Sequence, residues 1–425
     1  MPRQTGGSSG SANTGGSASS NAGGSSGTGG TSQPGASGGS SGGGGSSGTG
    51  GSGSGGASAG TGGSGTDARR DDGGGSDSMT TTPGNDGGAP TRAFVYASGY
   101  SAPISIFSLD LASGKLTAAG MANTGTGGEP TSIAFAPNKK FLYVCDEQKD
   151  APMARVIAYT INQTTGALQE INREGTRGST NAHVDVHPSG KWVLSANYGT
   201  NTVTVFPVRD DGGLGTPMTP VPACGQAHYI LFDSTGKYLF VPCVASNQVA
   251  QFRFAEGVLT PNETAMVAVT GGPRHLAFSP DERFVYSMGQ SSSAVTQLAY
   301  DKATGRLTSV QTVPTAMGAG LGGHIALHPT GKFLYASNRR GPGLTIFSVD
   351  ATTGRLTRVG DQADMLGAPW WFSLDPGGQF LVVPNSSSSN VLVHKVDQAT
   401  GTLQPLGPAS SVAMRPTYAG ILALP

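Results

Sequence analysis

Seven times between Phe94 and Ser386 the chain repeats one pattern: a strand that opens on an aromatic residue, a loop, and a second alternating strand. The copies open at Phe94, Phe141, Trp192, Tyr238, Phe284, Phe333 and Phe380, at spacings of 47, 51, 46, 46, 49 and 47 residues. A period of this length marks one supersecondary unit per repeat, none of which buries its apolar face alone. Four short strands fit into about 45 residues, so each unit reads as a propeller blade. The expected fold is therefore all-β, a closed seven-bladed β-propeller.

The unit around Ala227 to Phe254 shows how a blade is written. An apolar run, Ile230-Leu231-Phe232, leads through the turn Ser234-Thr235-Gly236-Lys237 into Tyr238-Leu239-Phe240-Val241, and Val249 to Phe254 then alternates as a half-buried strand does. These are strands A, B and C; a weaker strand D follows. The A–B turn recurs as Pro188-Ser189-Gly190-Lys191, Pro329-Thr330-Gly331-Lys332 and Pro376-Gly377-Gly378-Gln379. Proline presets the first turn dihedral and glycine supplies a positive φ. A later turn recurs as Thr-Gly at Gly166, Gly305, Gly354 and Gly401. The first copy has no strand A before Phe94, whereas the last runs on to an orphan strand, Tyr418 to Leu424. The C-terminal strand is thus expected to complete the first blade and remove the open edge.

Residues 1–90 are of a different material: Gly, Ser, Thr and Ala with almost no large apolar side chain. Such a segment buries too little surface to offset its ordering entropy, so a disordered linker is expected there, with the propeller over 91–425. The 26 basic and 26 acidic residues balance, and the three Arg and five Asp of the linker leave the propeller near +2. Nothing in this balance points to nucleic acid or an anionic membrane, and a monomer is expected. No run approaches the roughly 20 apolar residues of a membrane span. The start, Met1 to Gly6, lacks the apolar core of a signal peptide and predicts a cytoplasmic protein. A Gly/Ser leader also suits an exported domain, so a cell-envelope lipoprotein is the alternative if a signal lies upstream. Cys145, Cys224 and Cys243 are scattered without CxxC spacing, which argues against a disulfide framework, a c-type haem or a zinc site. Cys145 and Cys243, near strand ends, are expected as small packing thiols.

Strands A and B run antiparallel, so A starts and B ends share one face, at the mouth of the central channel. Aligned on their turns, the A strands open with Thr131, Ala182, His228, Arg274, Gly323 and Trp370, followed by Ser132, His183, Tyr229, His275, His324 and Trp371. The B strands end on loop slots that include Tyr100, Glu147, Tyr198, Gln290 and Arg339. Four histidines, His183, His228, His275 and His324, thus face one mouth together with Arg274, Arg339 and Glu147. That cluster suits an anionic or carbonyl-bearing ligand; the alternative is that these side chains only cap loops and tie neighbouring blades. His187 and His328 sit beside the turn prolines and are expected at the opposite rim. No metal is expected, because carboxylates are scarce and no helical i, i+4 histidine pair exists.

The words Gly272-Pro273-Arg274-His275-Leu276-Ala277-Phe278 and Phe333-Leu334-Tyr335-Ala336-Ser337-Asn338-Arg339 resemble the lactonase family of seven-bladed propellers. That family includes propeller-type bacterial 6-phosphogluconolactonase and cis,cis-muconate lactonizing enzyme. Ser195-Ala196-Asn197-Tyr198-Gly199 and Gly236 to Pro242 carry the same likeness, which covers Thr91 to Pro425. The resemblance implies a cofactor-independent lactone hydrolase, by family default acting on 6-phosphogluconolactone. His228 matches the family's strand-A histidine, Arg274 its Pro-Arg-His arginine, Arg339 its Ser-Asn-Arg arginine, and Glu147 its early loop glutamate. The sequence departs from the family at Gln290, which replaces a glutamate, at Gln226, which replaces a histidine, at His324, where glutamate is frequent, and at Trp370, which replaces an arginine. The implied catalytic set is His228, Arg274, Arg339 and Gln290; Glu147, His183, His275, His324, Trp370 and Trp371 would contact substrate, the indoles offering a stacking surface to a sugar or aromatic lactone. Two alternatives stay open: a catalytically silent propeller that binds a ligand or glycan on a flexible tether, and a lactone cycloisomerase. If the linker is passive, deleting residues 1–90 leaves the melting temperature and any lactonase rate unchanged; a loss of stability on truncation would contradict it.

Overall fold

The computed structural model describes residues 90–100, 103–125, 127–148, 154–315, 320–341, 343–362, 367–412 and 415–425. Apart from Pro90, the stretch 1–90 and the coil expected there lie outside the described residues. No helix among the described residues is long and apolar enough to cross a membrane.

The repeat folds as its period requires. Seven antiparallel sheets of four strands follow one another along the chain, each running A-B-C-D, with one small extra strand in the seventh. Six of the seven B strands begin on the aromatic residue that marks the repeat, at Phe141, Trp192, Tyr238, Phe284, Phe333 and Phe380. The first B strand, Arg92–Gly99, starts two residues before Phe94. Strand A of blade 1 is the C-terminal Pro416–Leu424, paired antiparallel to Arg92–Gly99 with Phe94 opposite Leu422 and Tyr96 opposite Gly420. Closure therefore joins the two ends of the propeller by a hydrogen-bonded ladder rather than by side-chain packing alone.

Burial falls outward through each blade. B strands such as Phe380–Asn385 are buried on both faces, whereas the outermost Leu116–Ala122 and Arg306–Pro314 are mostly exposed. The apolar core is a ring of seven clusters, each drawn mainly from two neighbouring blades. Blades 1 and 2, for example, share Phe94, Tyr96, Ile133 and Leu142.

One contact repeats at all seven junctions. The aromatic head of each B strand lies against the glycine of the next blade's C–D turn: Phe94 on Gly166, Phe141 on Gly212, Trp192 on Gly257, Tyr238 on Gly305, Phe284 on Gly354, Phe333 on Gly401 and, across the closure, Phe380 on Gly114. All seven glycines have φ between 66° and 84°, and a Cβ on any of them would fall 2.0–2.7 Å from a heavy atom. In four blades a tyrosine two residues along the B strand adds a hydrogen bond to the same turn. Tyr96, Tyr143, Tyr286 and Tyr335 donate to the carbonyls of Gly166, Gly212, Gly354 and Gly401 at 2.7–2.9 Å. At the A–B turns, His187 and His328 bond the Gly236 and Gly378 carbonyls of the next blade at 3.0 Å, away from the cavity described below.

The cysteine expectation fails in one respect. Cys145 is a buried free thiol, but Cys224 and Cys243 form a disulfide with Cα atoms 5.6 Å apart. Nineteen residues separate them in sequence. They meet because the loop before strand A of blade 4 runs back beside the end of strand B, a proximity that spacing alone does not express.

Gly354→Ala adds both a left-handed alanine and a clash at 2.4 Å with the Phe284 ring. It should destabilise by about 2–4 kcal/mol. Gly360→Ala, with nothing within 4 Å of the new Cβ, should stay within about 0.5 kcal/mol. Denaturant melts of the two variants check the ordering.

Candidate active site

The A strands do not enter the channel mouth as regular strands. Two residues before the first inward side chain the backbone turns left-handed, with φ of 49° at Thr180, 61° at Gln226, 68° at Gly272, 57° at Leu321, 53° at Ala368 and 55° at Arg415. Five of these six are not glycine, and each costs about 1 kcal/mol or more. In blades 1, 2, 3, 5 and 6 the A–B ladder also shifts register, between Pro416 and Tyr418, Pro130 and Ser132, Asn181 and His183, Pro273 and His275, and Gly322 and Ile325. A regular strand sends successive side chains to opposite faces, whereas a bulge re-aims them. Both Arg274 and His275, and both Ala182 and His183, therefore line the same cavity.

That cavity, roughly 260 Å³, is walled by nine of the ten residues selected from the sequence: His228, Arg274, Arg339, Gln290, Glu147, His183, His275, Trp370 and Trp371. His324 is not in its wall but packs behind it, stacked on Trp371 at 3.7 Å. Tyr100, Tyr198, Thr180 and Thr417 also line it and were not selected. Tyr100 and Tyr198 occupy the loop slot that supplies Glu147, Gln290 and Arg339. Thr417 takes the Arg274 slot once the C-terminal strand is counted as strand A of blade 1.

Arg274 and Arg339 converge. Their guanidinium carbons lie 5.6 and 4.4 Å from the Trp370 ring centroid, so both cations engage the indole that was expected as a stacking surface. Arg339 Nε donates to the Gly322 carbonyl at 3.1 Å. Arg274 Nη1 bonds the Gly323 carbonyl at 3.0 Å and His275 Nε2 at 2.8 Å, while its Nε–H has no protein partner. Because a guanidinium only donates, His275 Nε2 must accept. Its proton then sits on Nδ1 and is donated to His324 Nδ1, 2.9 Å away, which leaves the His324 proton on Nε2. A floor forms from one ring in each of six blades, blade 2 having Ser132 in that slot: His183 against Tyr229 at 3.9 Å, Tyr229 against His275 at 4.7 Å, His324 on Trp371, and Trp371 against Tyr418 at 4.7 Å.

The electrostatics of the wall are one-sided. Burial first, and then the charge of Arg274, holds His228, His275 and His324 well below the usual histidine range and brings His183 down to about 3. Burial and the neighbouring Arg339 lower Arg274, and burial brings Arg339 to about 10. Glu147 is the one carboxylate among the described residues of the wall; burial raises it, and Tyr100 Oη donates to it at 3.3 Å. His228 Nδ1 has no hydrogen-bond partner in the protein. The cavity thus presents two cations, neutral imidazoles and one carboxylate, an arrangement that favours an incoming anion or a developing oxyanion. No group of three or more His, Cys, Asp or Glu that could hold a metal occurs among the described residues.

Residues 93–417 match the family model described as Lactonase, 7-bladed beta-propeller. The chain is 31% identical over 196 residues to 6-phosphogluconolactonase of Bacillus subtilis, covering 44% of this chain and 56% of the relative. It is 33% identical over 196 residues to that of Pectobacterium carotovorum subsp. carotovorum, covering 45% and 57%. The match thus spans little more than half the length of these relatives. Among solved structures it is similar to the periplasmic gluconolactonase of Pseudomonas aeruginosa, with a TM-score of 0.73 and 27% identity, over 79% of this chain and 100% of that one.

Histidines kept neutral by the fold take up protons more readily once unfolded. Their contribution to stability is present above the unfolded pKa near 6.5 and is lost as pH falls below it. Thermal melts should therefore drop steeply from pH 6.5 to 5, by up to about 1.4 kcal/mol per pH unit for each such histidine. His183→Asn keeps an acceptor near the Ile230 N–H that His183 Nδ1 now holds at 3.2 Å, and should flatten the slope; a profile level across this range would overturn the assignment.

Proposed function

The chain belongs to the lactonase family of seven-bladed β-propellers, and on that premise we propose that it hydrolyses a small-molecule lactone. The carrying observation is the convergence of Arg274 and Arg339 on Trp370 in the cavity that also exposes His228. Ester opening by water needs a base for the water and charge stabilisation for the tetrahedral oxyanion. His228, neutral at physiological pH, accepts the proton as water adds to the lactone carbonyl. Arg274, whose Nε–H has no protein partner, holds the oxyanion through a charge-assisted hydrogen bond, and Arg339 beside it is left for an anionic group of the substrate. Collapse breaks the ring C–O bond, and the imidazolium returns its proton to the departing alkoxide, giving the hydroxy acid. Gln290 can orient the water but cannot take its proton. Glu147, bonded by Tyr100, balances part of the arginine charge. No cofactor enters these steps.

Relatives named 6-phosphogluconolactonase and a structural neighbour named gluconolactonase both direct the substrate toward aldonolactones. Arg339 favours the phosphorylated form, because a phosphate offers the anion it lacks. The Cys224–Cys243 bridge and the periplasmic neighbour favour an oxidising compartment over the cytoplasm. We take residues 91–425 as the catalytic unit, acting as a monomer, and 1–90 as its tether.

The purified chain should open 6-phosphogluconolactone, and more slowly gluconolactone, above the spontaneous rate. His228→Ala should lower kcat about 100-fold or more, and Arg274→Ala about 100-fold. Gln290→Glu and Trp370→Arg separate the alternatives: a gain in rate marks an enzyme working below its family's optimum. A folded protein that opens neither lactone would refute hydrolysis in favour of a ligand-binding propeller.

A further inference from the structure

We infer that the Cys224–Cys243 disulfide is a positioning device for His228; the inference rests on the lactonase reading of that residue. The inner strands of blades 4 and 7 are the shortest in the ring, with ladders of only Leu231–Phe232 and Ser373–Leu374. These two blades carry His228 and Trp370. In each, the cavity-facing side chain sits ahead of the ladder, on backbone held by one isolated bridge, Ala227 to Cys243 and Pro369 to Asn385.

Blade 7 secures that segment with a side chain from the end of strand B: Asn385 Oδ1 accepts the Gly367 N–H at 2.9 Å. Blade 2 does the same with Asp146, whose Oδ1 accepts the Glu129 N–H at 2.6 Å. In blade 4 the equivalent slot is Cys243, whose sulfur is bonded to Cys224, four residues before His228. Here Ser246 Oγ accepts the Gly225 N–H and Asn201 Oδ1 accepts the Gln226 N–H, both at 2.7 Å. The covalent bond thus adds to these hydrogen bonds a tether from the segment to the end of strand B. His228 itself is secured weakly: its backbone N–H reaches the Pro242 carbonyl at 3.0 Å, its Nδ1 bonds nothing in the protein, and its ring meets Tyr198 and His275 only at centroid distances of 5.7 and 5.2 Å. Gln226, between bridge and histidine, has the left-handed φ of 61°. Without the bridge this strained residue is held by hydrogen bonds alone, from its N–H to Asn201 Oδ1 and from the Val244 N–H to its carbonyl, and their more frequent opening shifts the imidazole. Small misplacements of a reacting group cost up to about 100-fold in rate.

The test uses the full chain and two double variants, Cys224→Ser/Cys243→Ser and Cys224→Ser/Cys243→Asn, the second placing at 243 the side chain that ties the segment to strand B in blade 7. The serine variant is expected to lose about tenfold in kcat with KM within about twofold, and amide exchange over residues 224–230 should accelerate while the other blades keep their protection. The asparagine variant should recover most of both. A serine variant with lower melting temperature but unchanged kcat and unchanged exchange at 224–230 would make the bridge a general staple and overturn the inference. So would an asparagine variant that folds but recovers neither readout. Dithiothreitol on the native protein supplies a third arm: the dithiol gives two electrons and two protons to the S–S bond and closes to its own cyclic disulfide, and the same local exchange change is expected. Exchange reads the positioning directly, so a wild-type chain inactive on lactones would sink the lactonase reading while exchange still decides whether the bridge holds the segment.

Discussion

The aromatic ring laid on a left-handed glycine of the neighbouring blade is the contact on which the rest of the molecule depends. It occurs once per junction, including the junction that joins blade 7 to blade 1. A Cβ on the glycine would lie inside the ring's van der Waals surface, so turn and aromatic fix each other's position. Each contact seals the outer side of an inter-blade cluster whose inner side is formed by the A and B strands. The same contact at seven junctions closes a circle, and the ladder between Pro416–Leu424 and Arg92–Gly99 locks it.

A closed ring of this kind can carry an irregular centre. The channel mouth holds five non-glycine residues at positive φ, five register shifts, a disulfide-pinned loop and two guanidinium groups close to one indole. The left-handed residues and the crowded cations are costly locally, and all these features lie where the A strands begin rather than in the apolar clusters that join the blades. The strain is tolerated because seven apolar clusters, not the mouth, hold the blades together. Strain that recurs at one position of the repeat and lines one cavity is the form expected of a preorganised site.

How much of this could be read beforehand followed from what periodicity encodes. The aromatic heads and the Thr-Gly turns are chemical words with a fixed spacing, so blade number, strand order and closure were all legible. Gly114, Gly212 and Gly257 perform the same task after Ser, Asp and Glu, and escaped a search for Thr-Gly. Aligning the A strands and the loop slots brought nine of the ten candidate residues to one cavity, and His324 lies behind its wall, stacked on Trp371. A bulge leaves no compositional mark, since it is a property of two strands in register rather than of either sequence. Tyr100 and Tyr198 were visible in the loop slots but had no reason to be preferred until Glu147 and His228 were seen beside them. The disulfide was hidden for the same reason as the bulges: it depends on where a loop returns, not on how far apart its ends are.

If His228 is the base proposed above, one chemical tension remains. The burial and positive charge that keep His228 neutral also make it a weak base, because a base works best with a pKa near the operating pH. An anionic substrate resolves this. A phosphate or carboxylate held by Arg339 offsets part of the positive charge that depresses the imidazole, and its own charge favours the imidazolium once the proton arrives. The empty cavity therefore disfavours protonated His228 and the occupied one favours it, so basicity rises when substrate binds. A neutral lactone leaves the arginines uncompensated and the histidine weak. On this electrostatic ground the charge of the substrate, more than the shape of its ring, sets the rate at which this site can work.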